Sequence, residues 1–241
     1  MKNNQLLKFS LGNAKLSNDT LIFDIPAGYT CPAAKNCLAF ANRKTGKIKD
    51  GKNIELRCYA ASQEAVYSNV RKKRWDNYSI LKSAKNVNEL VQIIEYSLLK
   101  NIKRNTKKVR IHSSGDYFSL DYLKAWIQIA KRNKSLIFYS YTKSVHFFKQ
   151  CEGEIPSNFR ITFSHGGKYD SLIEDKDKSA KVVFSPEEAK LLKLKIDHDD
   201  SNAYSKSKKS FSLLIHNTQP KNSKAAKAWQ EVKTTIGGYS R

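Results

Sequence analysis

The chain has 241 residues, enough for one large domain with its own core. It holds no apolar run of about 18 residues and no apolar leader, which excludes a membrane span and reads as a soluble, cytoplasmic protein. Forty-four Lys plus Arg face 22 Asp plus Glu, a net charge of +22, and such an excess suits a polyanionic partner.

In chain order, the first segment, residues 1–61, is rich in turn residues and carries Cys31, Cys37 and Cys58. It reads as a loop-rich extension packed on a βα core spanning 62–241, the whole forming a single domain. A basic stretch follows, Arg71, Lys72, Lys73, Arg74 and Trp75, with Tyr67 and Tyr78 beside it. Cations interleaved with aromatics are what a single strand or a flipped base uses for phosphate contact and stacking. A solvated helix face accounts for the same run without function.

From residue 86 a rhythm sets in. Val87, Leu90, Ile94 and Leu98 recur on one helical face. "KVRIH" predicts a strand, and Ser119 then caps a helix with Leu123, Ile127 and Ala130 facing inward. "LIFYSYTKS" predicts a strand, "VHFFKQCEG" a short helix, and "FRITFS" and "KVVFS" further strands. Ser185-Pro186-Glu187-Glu188 forms a capping box with proline at the first helical position. "KLKIDHDD" and "FSLLIHNTQP" predict strands, and "SKAAKAWQEVKTTI" a closing helix. Alternation of this kind means an α/β fold with a mainly parallel sheet, in a compact or partial (β/α) barrel or an open doubly wound sheet.

Four of the five histidines fall where strands end. His112, Ser114 and Asp116 follow "KVRI"; Lys143 ends the next strand; His165 precedes Gly166-Gly167; Asp199 lies in "DHDD"; and His216 ends the last strand. That rim is where parallel α/β folds place their ligands. Asp116, after a glycine at a strand-to-helix turn, is a candidate nucleophile or general base, or a helix cap. Lys143 is a candidate anion holder, or a lysine with its head in solvent. The acidic cluster with Asp199 is a candidate cation ligand, or a solvated loop.

The cysteines are spaced C-x5-C-x20-C, which is neither a zinc ribbon nor the usual C-x3-C-x2-C cluster loop. Cys31, Cys37 and Cys58 are candidate ligands for Zn²⁺ or for three corners of an iron–sulfur cluster, with plain burial as the alternative. Cys151 stands apart as structural.

The blocks "GYTCPAAKNCLA", "RCYAASQEAVYSNVRKKRWDN", "RIHSSGDYFSLDYLKAW", "FYSYTKS", "NFRITFSHGGKYD" and "IHNTQPKNSKAAKA" resemble, in this order, the phage gene product 88 domain family. The likeness runs from about Lys8 to Gln230 and implies a protein of the host cytoplasm. More distantly, "SSGD" with three cysteines is similar to tRNA-guanine transglycosylase-like barrels, which use a strand-end aspartate nucleophile and a Cys3His zinc. The same cysteines are similar to those of radical S-adenosylmethionine-type barrels. These likenesses imply a phage enzyme acting on nucleic acid, DNA before RNA, by base modification or exchange through Asp116. The alternatives are radical chemistry on a [4Fe-4S] cluster and a non-enzymatic nucleic-acid-binding protein.

Overall fold

The computed structural model describes residues 6–216 and 218–236. Two short strands, β1 (Phe9–Leu11) and β2 (Thr20–Phe23), precede a hairpin of β3 (Ala39–Ala41) and β4 (Ile48–Asp50). Three helices follow, α1 (Tyr59–Val66), α2 (Ser68–Lys82) and α3 (Val87–Asn101). Then β5 (Lys108–Ile111), α4 (Leu120–Arg132), β6 (Ile137–Thr142), α5 (Val145–Gln150) and β7 (Phe159–Ser164) alternate. The chain ends with β8 (Ser179–Val183), α6 (Pro186–Leu191), β9 (Lys195–Ile196), α7 (Ser201–Tyr204), β10 (Phe211–Leu214) and α8 (Lys224–Ile236).

The main sheet has eight strands in the order β1-β2-β5-β6-β7-β8-β10-β9, and every pairing except β1–β2 is parallel. The sheet is open. Its edges are the antiparallel β1 and the two-residue β9, which do not pair with each other, so the expected barrel does not close.

Helix starts follow the capping chemistry of the sequence. Asn86, Ser119 and Ser185 each accept the N–H three residues on, ahead of α3, α4 and α6. Strand alternation then divides the sheet's faces. Val109, Ile111 and Phe138 pack with Ile94, Leu98 and Trp126 in the main core under α3 and α4. Tyr139 and Phe211 face the other way, onto Ala203 and Tyr204 of α7. Burying a large apolar side chain of this kind contributes roughly 1.5–3 kcal/mol.

The expectation of an N-terminal extension is corrected. All four residues of β2 are buried, and β2 pairs with β1 on one side and in parallel with β5 on the other, so both strands build part of the main sheet. The apolar run Leu21-Ile22-Phe23 is the physical reason, since leaving it solvated is costly. No helix among the described residues is long and apolar enough to cross a membrane.

Candidate functional site

A pocket of about 250 Å3 opens at the carboxyl ends of β5, β6, β7 and β10. Its wall is built around the corner from His112 to Asp116. His112 has φ +65, a conformation rare for a residue with a Cβ, and Gly115 has φ +87. A Cβ on Gly115 would stand 2.4 Å from Ile25 and 2.6 Å from Thr30 Oγ1, so glycine lets the cysteine loop close onto the corner.

The serines staple this corner to the end of β2. Ser113 Oγ and the Ser114 N–H both donate to Asp24 Oδ1, at 2.6 and 2.8 Å. Ser114 Oγ reaches the Ile25 carbonyl at 2.9 Å and Glu64 at 3.2 Å. Behind them Arg74 pairs with Glu64 at 3.1 Å and Asp24 at 3.6 Å, all three buried. Burial alone would raise the Asp24 carboxyl, but Arg74 and the serine donors bring it below its usual value. The Tyr59 hydroxyl donates to the Ser113 carbonyl and ties α1 to the same corner.

Asp116 lies at the pocket wall and is 4% exposed. Its carboxylate accepts from Thr142 Oγ1 at 2.6 Å, the Lys143 N–H at 2.9 Å and the Tyr117 N–H at 2.8 Å. Burial raises its pKa against the pull of those donors. Both oxygens are therefore occupied in locking the β5 corner to the end of β6. His112 is buried, with Nε2 2.9 Å from the Tyr122 hydroxyl, and burial pushes it down to about 3. It is a neutral imidazole at ordinary pH.

Cys31, Cys37 and Cys58 all line this one pocket, partly exposed, and none of the four cysteines is in a disulfide. Cys58 occupies the N-cap of α1. Burial pushes its thiol up to about 11, with the neighbouring Cys37 adding to the rise and the N–H groups of Ala60 and Ala61 opposing it. Burial raises Cys31 well above its usual value too, helped by Asp116, Cys58 and Cys37. Among the described residues no three His, Cys, Asp or Glu are grouped to hold a metal ion.

Lys143, His165 and His216 also reach the pocket. Lys143 Nζ donates to Ser164 Oγ at 2.8 Å and to the Ser164 and His165 carbonyls. His165 Nε2 lies 3.1 Å from Ser179 Oγ, and the His216 ring packs on Tyr59 with centroids 5.2 Å apart. Burial lowers both imidazoles. Gln219 accepts the Arg57 N–H at 2.6 Å, joining the loop before Cys58 to the loop after β10.

Two expectations are placed elsewhere. Asp199 does not line the pocket: β9 stops level with Ser212, two residues short of the end of β10. Its carboxylate accepts the Ser201 N–H at the start of α7 instead. The basic stretch is split by the helical period: Arg71 and Arg74 are buried, donating to carbonyls and to Glu64. Lys72 pairs with Asp76, Lys73 bonds Ser10, and Trp75 packs on Tyr29 and Arg43. This stretch is a scaffold for the corner rather than one continuous phosphate-facing surface.

Arg110, Arg57, Tyr59 and Lys181 line the pocket too, although none of them is among the site candidates read from the sequence. Arg110 had a visible signal, a charge between apolar neighbours in a strand. It is buried, pairs with Asp200 and lies under Tyr141, 4.8 Å from the ring centroid, while its Nε has no hydrogen-bond partner.

No solved structure matches this chain. The "Gene 88 protein" of Mycobacterium phage L5 is 29% identical over 91 residues, covering 36% of this chain and 38% of that protein. The gene product 88 family pattern matches residues 2–231, nearly the whole chain with every pocket residue inside it. By that match the chain is a member of the gene product 88 family.

Proposed function

We propose that the rim pocket is the active site of an iron–sulfur enzyme of the radical S-adenosylmethionine kind, acting on nucleic acid in the host cytoplasm. The observation that carries this reading is the convergence of Cys31, Cys37 and Cys58 on one pocket at the carboxyl ends of parallel strands. Cys58 and Cys37 both add to the rise of the Cys31 thiol, and Cys37 adds to that of Cys58. Three thiolates lining one cavity supply three corners of a cluster and leave its fourth open to a ligand. A cluster held by Cys31, Cys37 and Cys58 would supply one-electron chemistry to this pocket.

The chain's own residues have defined parts in this reading. The α1 amides at Cys58 favour its thiolate, and a bound metal would offset the burial penalty on Cys31 and Cys58. Asp116 positions the end of β6, and Arg110 offers a buried cation to an anionic group in the pocket. The net charge of +22 favours a polynucleotide substrate.

Base exchange through Asp116 is a second reading, supported by its place on the pocket wall and its raised pKa. Anaerobic purification separates the two. The cluster reading expects brown protein containing iron and acid-labile sulfide, both lost when Cys31, Cys37 or Cys58 becomes Ser and retained in Asp116→Asn. Colourless protein that takes up no iron on reconstitution with iron and sulfide overturns it. Loss of base exchange in Asp116→Asn alone would then favour the second.

A further inference from the structure

A second cavity, about 690 Å3, lies at the opposite end of the sheet, among the amino ends of β6 and β7. Its origin is a break in strand pairing. β8 joins β7 only at Phe163 and Ser164, so Phe159 to Thr162 have no strand beside them on that side. The loop before β8 and the loop after α7 form the far wall, through Asp177, Lys178, Lys206 and Lys208. Ile137, Ile155 and Ile161 give it an apolar floor.

The charge of this cleft is one-sided: seven cations and two carboxylates line it. Lys149 and Lys176 are already paired, with Glu174, Asp177 and Glu152. Lys134, Arg160, Lys178, Lys206 and Lys208 have no carboxylate within salt-bridge distance among the described residues. Arg160 Nε is buried without a hydrogen-bond partner. Lys178 donates to the carbonyls of Asn202 and Ser205 at 2.9 and 2.8 Å, which fixes it at the end of α7. Burial, with the charge of Arg160 adding to it, pushes Lys178 down to about 8. Uncompensated cations crowded around a cavity are stabilised by a bound anion.

We propose that this cleft binds single-stranded nucleic acid, with phosphates held by Lys134, Arg160, Lys206 and Lys208 and a base or sugar on the isoleucine floor. The volume lies in the range of built ligand pockets, roughly 300–1,000 Å3. The cleft lies between a strand edge and two loops with an apolar floor, a setting for the unpaired bases of one strand, whereas a duplex needs a broad cationic face. The site is remote from the cysteine pocket and does not depend on the chemistry assigned there.

Lys134, Lys206 and Lys208 are exposed, so their simultaneous replacement by Glu leaves the core intact. Lys85, Lys100 and Lys227, also exposed but outside the cleft, give a control triple variant with the same change in net charge. Binding of a fluorescent mixed-sequence oligonucleotide is followed by anisotropy across a salt series. The cleft triple is expected to lose about tenfold or more in affinity, with the log–log salt slope falling by about 3, and the control to stay within about twofold. Metal content stays unchanged in the cleft variant, which keeps the outcome separate from the cysteine reading. Equal losses in both triples overturn the proposal by making the attraction global. Duplex binding as tightly as single strand, or polyglutamate displacing the oligonucleotide at equal charge, overturns it too.

Discussion

The two ends of the same sheet are built on opposite principles. At the carboxyl ends, polar side chains hold one another: Asp116 takes three donors, Lys143 three acceptors, and Asp24 the serines of the corner. At the amino ends, exposed lysines gather around an open cleft. A site that fixes single atoms discriminates by geometry, and losing one atom there is costly. A site that sums flexible charges discriminates by field, and no single member dominates. The contrast makes quantitative demands on substitutions at each end.

The largest effect is expected at Arg74, which lies behind the rim. Replacing it by Ala leaves Asp24 and Glu64 buried without the guanidinium they share, and breaking a buried pair in this way costs about 3–5 kcal/mol. Denaturant unfolding measures it. A loss below about 1 kcal/mol would mean the rim is not held from behind.

Acid tests the same end through His112. Its pKa falls from 6.5 to about 3 in the fold, so the unfolded chain takes up the proton first as pH drops. Stability from the neutral ring is complete above 6.5 and is lost as pH falls toward 3. The slope reaches about 1.4 kcal/mol per pH unit at most. Asn also tolerates a left-handed backbone, so His112→Asn keeps φ +65 accessible while removing this titration. Unfolding curves over the acid range should flatten in that variant. An unchanged slope would assign the acid sensitivity to the carboxylates.

Asp116→Asn comes next. The amide turns a donor toward one of three donors that now meet a carboxylate, at an expected cost of about 1–3 kcal/mol, read from the thermal midpoint. A neutral result would show that the Thr142 and Lys143 contacts do not lock β5 to β6.

The regular half of the chain was legible because its signals are local. The serine caps at Ser119 and Ser185 and the faces of α3 and α4 stand where periodicity put them. The strand-end rule brought His112, Asp116, Lys143, His165 and His216 to one pocket with the three cysteines. What failed was set by long-range pairing. Joining β2 to β5 spans an insertion holding a hairpin and three helices, and no local pattern encodes that pairing. Asp199 failed for a similar reason: how far β9 reaches depends on its register with β10. The split of the 71–75 stretch was readable in principle, because residues three apart share a helical face and Arg71 and Arg74 are so spaced.

The smallest effect is expected at the other end of the sheet and is the sharpest test of the contrast. Lys208 is exposed on the cleft rim, and Lys208→Ala removes one charge from a group of several without disturbing any buried bond. If the cleft works by field, oligonucleotide affinity falls only about two- to threefold and the salt slope by about 1. Thermal stability should not move. Single replacements at Lys134 and Lys206 should give similar losses, and the three should combine nearly additively, because flexible exposed cations do not depend on one another's geometry. A single lysine whose loss equals that of the triple variant would mark a geometrically fitted phosphate contact. The amino end would then be built as the carboxyl end is, around atoms that cannot be exchanged.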